Sequence, residues 1–235
     1  MKKAFALIIV AGLGSSLQLA YAGEISGKIT LKGTPPKEAV NNQITGDANC
    51  AKMHAGPVTT HHFVVGPAGE LANVVVSLQG VSAKSSGASA APALLDQKGC
   101  EYVPTIMAVQ TDQKIVVKNS DPVMHNVHPT PIVAGNKEDN KAQMPNGPDL
   151  TFAFSKPENF LKVACNVHPW MFAWITVVDH PYFAVSGKDG AFTIANVPPG
   201  KYKIQAVHRK AGTATQEIEV KEGAPAKADF TLEVK

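Results

Sequence analysis

Cys165, His168 and Met171 lie within one short stretch, VACNVHPWMFAWI (163–175), each separated from the next by two residues. A thiol, an imidazole and a thioether at such spacing are metal donors. The run LKVAC before them reads as a strand, NVHPWM as a loop stiffened by Pro169, and FAWITVV as the returning strand. Two ligands on such a loop can both face inward. A further donor lies about 40 residues upstream, in VKNSDPVMHNVHP (117–129), where His125 follows the turn signal Asn119-Ser120-Asp121-Pro122. If the strand ending at Asn119 neighbours the one ending at Cys165, both turns meet at one pole. His125, Cys165 and His168 then form a trigonal set with a weak axial thioether from Met171. That donor set belongs to mononuclear copper sites that pass single electrons. Thiolate and thioether favour Cu(I) and imidazole suits Cu(II), so the site is a compromise that changes little between the two states.

The elements that must position these donors are strands. Val, Ile and Thr fill short apolar runs, Gly and Pro are frequent, and no long segment has a helical period, so the chain is expected to be all-β. EISGKITLKG (24–33) and ANVVVSL (72–78) read as the first strands. SAKSSGASAAPA (82–93) lacks apolar content and reads as a flexible loop. YVPTIMAV, QKIVVKN, LTFAFS, NFLKVAC and MFAWITVVD follow in close order, with a short helical turn admitted within 131–143. After Asp179, FAVSGKDGAFTI reads as a hairpin with Lys188-Asp189-Gly190 at its tip, and ATQEIEVK and ADFTLEVK alternate to the end.

The chain opens with Lys2 and Lys3, an apolar run and the small-x-small site Ala20-Tyr21-Ala22, the pattern of a cleaved secretory signal peptide over residues 1–22. The expected location is therefore the periplasm or the cell exterior, with no membrane span after cleavage. Removing the two lysines takes the formal charge from +3 to +1. That is no footprint for nucleic acid, which calls for a basic patch or stripe.

Three cysteines remain in an oxidising compartment, so one disulfide leaves one thiol over. Cys165 is the natural leftover and Cys50 with Cys100 the natural pair. The alternative is that Cys50, Met53, His54, His61 and His62 gather round a second metal. His128, three residues from His125, points to the other sheet face if the segment is extended. His180 and His208 read as structural.

The segment EYVPTIMAVQTDQKIVVKNSDPVMHNVHP, followed by VACNVHPWMFAWITVV, resembles a cupredoxin, most closely the amicyanin and plastocyanin type, over residues 96–180. The resemblance implies a Greek-key β-sandwich and one copper ion held by His125, Cys165, His168 and Met171. It also implies that Asn126 ties its loop to the cysteine loop, and that His168 lies near the surface in an apolar patch. Trp170 and Pro169 are the candidates to build that patch. The expected partners are redox proteins such as a c-type cytochrome or a periplasmic dehydrogenase, although 131–150 is polar and rich in Asn and Lys, so partner identity does not carry over.

The chain ends resemble something else. DGAFTI followed by NVPPGKYKIQAVH is similar to a carboxypeptidase regulatory-like domain, a transthyretin-like sandwich, expected over 181–235. GEISGKITLKG and LANVVVSL, in the segment 23–95, resemble the first strands of the same domain. The copper module is thus expected to be inserted between two halves of that sandwich, which requires 25–31 to pair with C-terminal strands. No HExxH, GxSxG or glycine-rich phosphate loop is present, and no second copper domain accompanies the first. The expectation is an electron carrier that is not an enzyme, with copper delivery or storage as the alternative.

Overall fold

The computed structural model describes residues 22–234. The expected leader, apart from Ala22, lies outside the described residues. Among them, no helix is long and apolar enough to cross a membrane.

Two strands come first, β1 (Gly23–Lys32) and β2 (Val75–Gln79), with two short helices between them, α1 (Asn42–Gly46) and α2 (Ala48–Ala51). Next come β3 (Ala93–Gln97), β4 (Tyr102–Val103), β5 (Ile106–Gln110), β6 (Ile115–Asn119), β7 (His125–Thr130), β8 (Lys141–Gln143), β9 (Leu150–Phe152), β10 (Glu158–Ala164) and β11 (Phe172–Val178). The last are β12 (Phe183–Val185), β13 (Ala191–Val197), β14 (Gly200–His208), β15 (Gly212–Val220), β16 (Ala226–Lys227) and β17 (Phe230–Glu233).

These strands build two sandwiches, so the fold is all-β, a larger sandwich beside a smaller one. The smaller takes strands from both ends of the chain. β1 lies between β13 on one side and β16 and β17 on the other, and the opposing sheet runs β12-β2-β14-β15. Ile25 faces Ile194 across the antiparallel pair with β13, and Ile29 faces Phe230 across the parallel pair with β17. Strand β1 therefore pairs with C-terminal strands, as an inserted module requires. Ile25, Ile29, Leu78, Ile194 and Ile204 are sealed from solvent in one core, each contributing roughly 1.5–3 kcal/mol by burial.

The second sandwich faces a five-stranded sheet, β5-β11-β10-β7-β8, against a four-stranded one, β4-β3-β6-β9. Its core holds Leu95, Val109, Ile115, Leu161, Val163 and Ile175. The expected division at residue 96 falls inside β3, which pairs in parallel with β6 from Ala93 onward. A cation–π contact joins the two sandwiches, with the Arg209 guanidinium 3.7 Å from the centre of the Trp174 ring.

Three local expectations are corrected. The segment 82–93 is not a free loop: Ser85 Oγ donates to the Thr111 carbonyl at 2.8 Å and the Ser86 N–H to Gln110 Oε1 at 2.8 Å. Gly87 is buried so close to the Thr111 carbonyl that a Cβ would collide with it. Backbone hydrogen bonding, which low apolar content does not exclude, pins the segment. No helical turn forms within 131–143. The Ile132 N–H and the Asn136 amide go instead to the buried Glu158 carboxylate, at 2.8 and 2.9 Å, and 141–143 pairs with β7. Finally, β12 and β13 are not a hairpin. β12 pairs with β2 and β13 with β1, so the turn at 186–190 carries the chain from one sheet to the other. Ser186 fixes that crossing: its hydroxyl accepts from the Val74 N–H at 3.0 Å and donates to the Leu71 carbonyl at 2.9 Å.

Two predictions follow from packing in the smaller sandwich. A Cβ on Gly27 would strike the Ala228 carbonyl and come within 2.8 Å of the Phe192 ring, whereas one on Gly46 meets nothing within 4 Å. Gly27→Ala should cost about 1–3 kcal/mol in urea unfolding through overpacking, and Gly46→Ala should leave stability unchanged or raise it. His208 is buried and accepts the Ala211 N–H on Nδ1 at 3.0 Å; burial, then the Arg209 charge, push its pKa down to about 4. The unfolded chain titrates near 6.5 and so binds more protons as pH falls below that value. Stability should drop by about 2 kcal/mol between pH 7 and pH 5 on this account. His208→Asn, which keeps an acceptor in place of Nδ1, should flatten that part of the slope.

Candidate metal centre

Strand pairing brings the donors together. β7 and β10 are antiparallel, with His128 opposite Ala164 and Pro129 opposite Val163. The start of β7, at His125, and the end of β10, just before Cys165, therefore share one pole. Ala164 also pairs with Phe172 of β11, so residues 165–171 close a β10–β11 hairpin. The Cys165 N–H donates to the Met171 carbonyl at 3.0 Å and the Met171 N–H to the His168 carbonyl at 2.9 Å, which curls the loop inward.

His125 Nδ1 lies 2.9 Å from His168 Nδ1, and Cys165 Sγ lies 4.0 and 3.8 Å from those two nitrogens. A point equidistant from the three donors is about 2.1 Å from each, within the range of roughly 2.0–2.3 Å that nitrogen and sulfur ligands take on a first-row ion such as zinc. His125, Cys165, His168 and Met171 are all buried, at 0, 2, 6 and 1 % exposure. The donor set therefore fits a first-row metal ion, and its softness fits copper.

The electrostatics differ from donor to donor. Burial pushes the Cys165 thiol up, but the His125 bond and the N–H groups of Asn126, His168 and Val167 outweigh it, and its pKa lies below the ordinary thiol value. Burial also disfavours a charged His125, yet its bonds to Asp121 and Cys165 hold it above the usual imidazole range. Burial, then the neighbouring His125, hold His168 below that range.

Asn126 ties the two loops, as the resemblance implied. Its Oδ1 accepts from the Asn166 N–H at 2.6 Å and the Val167 N–H at 3.2 Å, and its backbone N–H reaches Cys165 Sγ at 3.5 Å. The Tyr102 hydroxyl, also buried, donates to the carbonyls of Asn126 at 2.8 Å and Ala164 at 3.2 Å, bracing the strands on either side. His128 stands outside the centre, between Asn166 Oδ1 and Glu138.

Sequence reasoning missed two features. Asp121 appeared only as part of a turn, but its Oδ2 lies 2.9 Å from His125 Nε2 while its carboxylate accepts from the N–H groups of Gly99 and Cys100. The signal was an acidic residue four positions before a donor histidine. The second feature is a lid, which corrects the expected surface position of His168. Cys50 and Cys100 form a disulfide, and their sulfurs and a His168 nitrogen all lie within 4.8 Å of one another. Ile44 and Val58 pack round that disulfide with Met53, Val123 and Trp170. Trp170 donates from Nε1 to the Cys100 carbonyl at 3.2 Å, and its ring stands 5.1 Å from that of His168. Trp170 is thus half-buried under the lid, and Pro169 alone of the expected patch is exposed.

The proposed second metal at 50–62 finds no support in this arrangement. Cys50 is spent in the disulfide, His54 bonds the Gly99 carbonyl at 2.7 Å, and His61 faces Glu101. Among the described residues, His54, His61 and His62 enter no cluster of metal-ligand type.

Fold and site thus define a pair of β-sandwiches, the larger of which carries a buried thiol–imidazole donor set that could hold a metal ion. Residues 168–233 match the family of carboxypeptidase regulatory-like domains, in agreement with the reading of the tail. That match covers β12–β17 and reaches back across β11. No curated protein matches the chain. Among solved structures, it is similar to a copper-containing nitrite reductase from Thermus scotoductus SA-01, at 19 % identity and TM-score 0.35, over 43 % of this chain and 25 % of that one. It is also similar to an oxidised amicyanin variant, at 17 % identity and TM-score 0.33, over 43 % of this chain and 97 % of that one. A purple cupredoxin from Nitrosopumilus maritimus aligns at 20 % identity and TM-score 0.31, over 36 % of this chain and 98 % of that one. At these scores the metal assignment stands on the donor atoms alone.

Removing the Asn126 side chain leaves two loop N–H groups without an acceptor. Asn126→Ala should destabilise the metal-free protein by about 1–3 kcal/mol, read by urea unfolding, and should speed amide exchange at Asn166 and Val167.

Proposed function

We propose that the protein is an exported carrier of single electrons built round one copper ion held by His125, Cys165, His168 and Met171. The observation that carries this reading is the donor triangle of His125 Nδ1, Cys165 Sγ and His168 Nδ1, with edges of 2.9, 3.8 and 4.0 Å, in a buried pocket that holds the thiol below its ordinary pKa. Bound there, copper would supply a Cu(I)/Cu(II) couple. The residues do the rest. The two loops hold the donors in place without the metal, tied by Asn126 and Tyr102, so little has to move on a change of charge. The apolar core beneath and the lid above exclude water. Asn126 and His168 N–H groups point at the sulfur and stabilise its negative charge.

The partners are redox proteins of the c-type cytochrome or periplasmic dehydrogenase kind, and the protein itself performs no catalysis. The lid bears on how they dock, since it covers His168 and leaves the cysteine loop at Val167 and Pro169 as the exposed flank of the centre. The lid also weighs against copper delivery, because a disulfide closes the donor set on the His168 side.

One equivalent of Cu(II) added to the mature protein should give an intense thiolate charge-transfer band and a narrow copper hyperfine splitting, both bleached by ascorbate. Cys165→Ser should remove the band. A pale product with wide splitting would overturn the carrier, and release of Cu(I) to a chelator within seconds would favour delivery.

A further inference from the structure

We infer that Asp121 is a positioning residue for the metal centre, holding His125 in the one tautomer that can ligate through Nδ1 and strengthening it as a donor to the oxidised ion. This deepens the copper reading and rests on it.

Asp121 is nearly sealed from solvent, with 2 % of its side chain exposed, and it faces a fully buried His125. A buried carboxylate persists only if its oxygens are paired. Here they are: Oδ1 accepts from the Gly99 N–H at 2.6 Å, and Oδ2 from the Cys100 N–H at 2.8 Å and from His125 Nε2 at 2.9 Å. The backbone N–H of Asp121 is itself held by Asn119 Oδ1 at 3.0 Å.

The two N–H groups that grip the carboxylate come from consecutive residues in the left-handed region, Gly99 at φ +69° and Cys100 at φ +54°. A cysteine adopts that conformation only when its surroundings impose it. Cys100 is fixed by its bond to Cys50 and by Trp170 on its carbonyl. The lid therefore reaches the metal ligand through a chain of contacts, from the disulfide to the Gly99–Cys100 N–H pair, to Asp121, to His125.

The chemical consequence concerns His125 alone. A carboxylate that accepts from Nε2–H fixes the proton there and leaves the Nδ1 lone pair free for a metal. The same negative charge makes the ring a better donor, and it stabilises a doubly charged ion more than a singly charged one. Asp121 thus favours the oxidised state and lowers the reduction potential.

Asp121→Asn and Asp121→Ala in the full mature chain test this, with Ser120→Ala as the neighbouring control. In the metal-free protein, nitrogen-15 NMR of His125 should show an Nε2-protonated ring in the unaltered chain and in the control, and a mixture of tautomers in Asp121→Ala. In the copper-loaded protein, Asp121→Asn should lose Cu(II) affinity by 10–100-fold, the usual cost of removing such a partner, with a smaller loss for Cu(I). Each tenfold difference between the two losses raises the potential by about 59 mV for a one-electron couple. Equal losses for both ions, or an unchanged tautomer in Asp121→Ala, would overturn the inference. If the unaltered protein gives no thiolate band with Cu(II), the copper reading fails, and the tautomer measurement still decides the role of Asp121. Should Asp121→Ala not fold, the near-isosteric Asp121→Asn, whose Oδ1 can still accept from Nε2–H, carries the affinity readout, and equal losses for both ions there would overturn the inference.

Discussion

Strand β1 finds its hydrogen-bonding partners only at the far end of the chain. It lies between β13 and the β16–β17 pair, so the smaller sheet closes only when residues 23–32 meet residues 191–233. Everything between must leave that sandwich and return to it, and the larger sandwich is what occupies the excursion. The entropy of closing so long a loop grows only slowly with its length, and an excursion that folds on its own core reduces it further. Strand β2 and strands β12 and β14 complete the opposing sheet on either side of the same excursion. The family match at 168–233 therefore takes in only the C-terminal strands of this sandwich, together with β11 of the other, while the fold draws two more strands from the N-terminal side.

The stretch between β1 and β2 is put to use. Its two short helices carry Cys50 across to Cys100, and the cluster they form with Val58 and Trp170 covers His168. A ligand that would otherwise lie at the rim becomes part of the interior. Covering it lowers the local dielectric, which strengthens every charge interaction at the centre. It also leaves the cysteine loop, at Val167 and Pro169, as the exposed flank of the donor set. The smaller sandwich thus contributes more than a fused neighbour would: through the lid, it fixes how the metal site is presented.

The centre itself is held by polar contacts as well as by apolar packing. Asn126 joins the two donor loops, Tyr102 braces the strands beneath them, and Asp121 holds the ring that the first loop presents. Each of these groups is buried and each has its partners. In a low-dielectric interior such a network is rigid because leaving any one member unpaired is costly.

The sequence by itself determined the β class, the donor types and their order, and the likeness of the chain ends to a second sandwich. These are properties of short stretches: alternation with a period of two, two-residue gaps between Cys165, His168 and Met171, and a turn before His125. Three cysteines leave one thiol over, and its place in the donor loop made Cys165 the candidate, as the structure has it. Only the tertiary structure decided what faces what. FAVSGKDGAFTI has the local signals of a hairpin, but each of its strands is claimed by a partner distant in sequence, β2 for one and β1 for the other. Asp121 reads as a turn residue until Gly99, Cys100 and His125 are brought round its carboxylate. His168 reads as exposed until a segment more than a hundred residues upstream is folded over it. Local periodicity and spacing are written in the chain, whereas burial and long-range hydrogen bonding depend on which segments meet, and that is settled by the competition among all strands for partners.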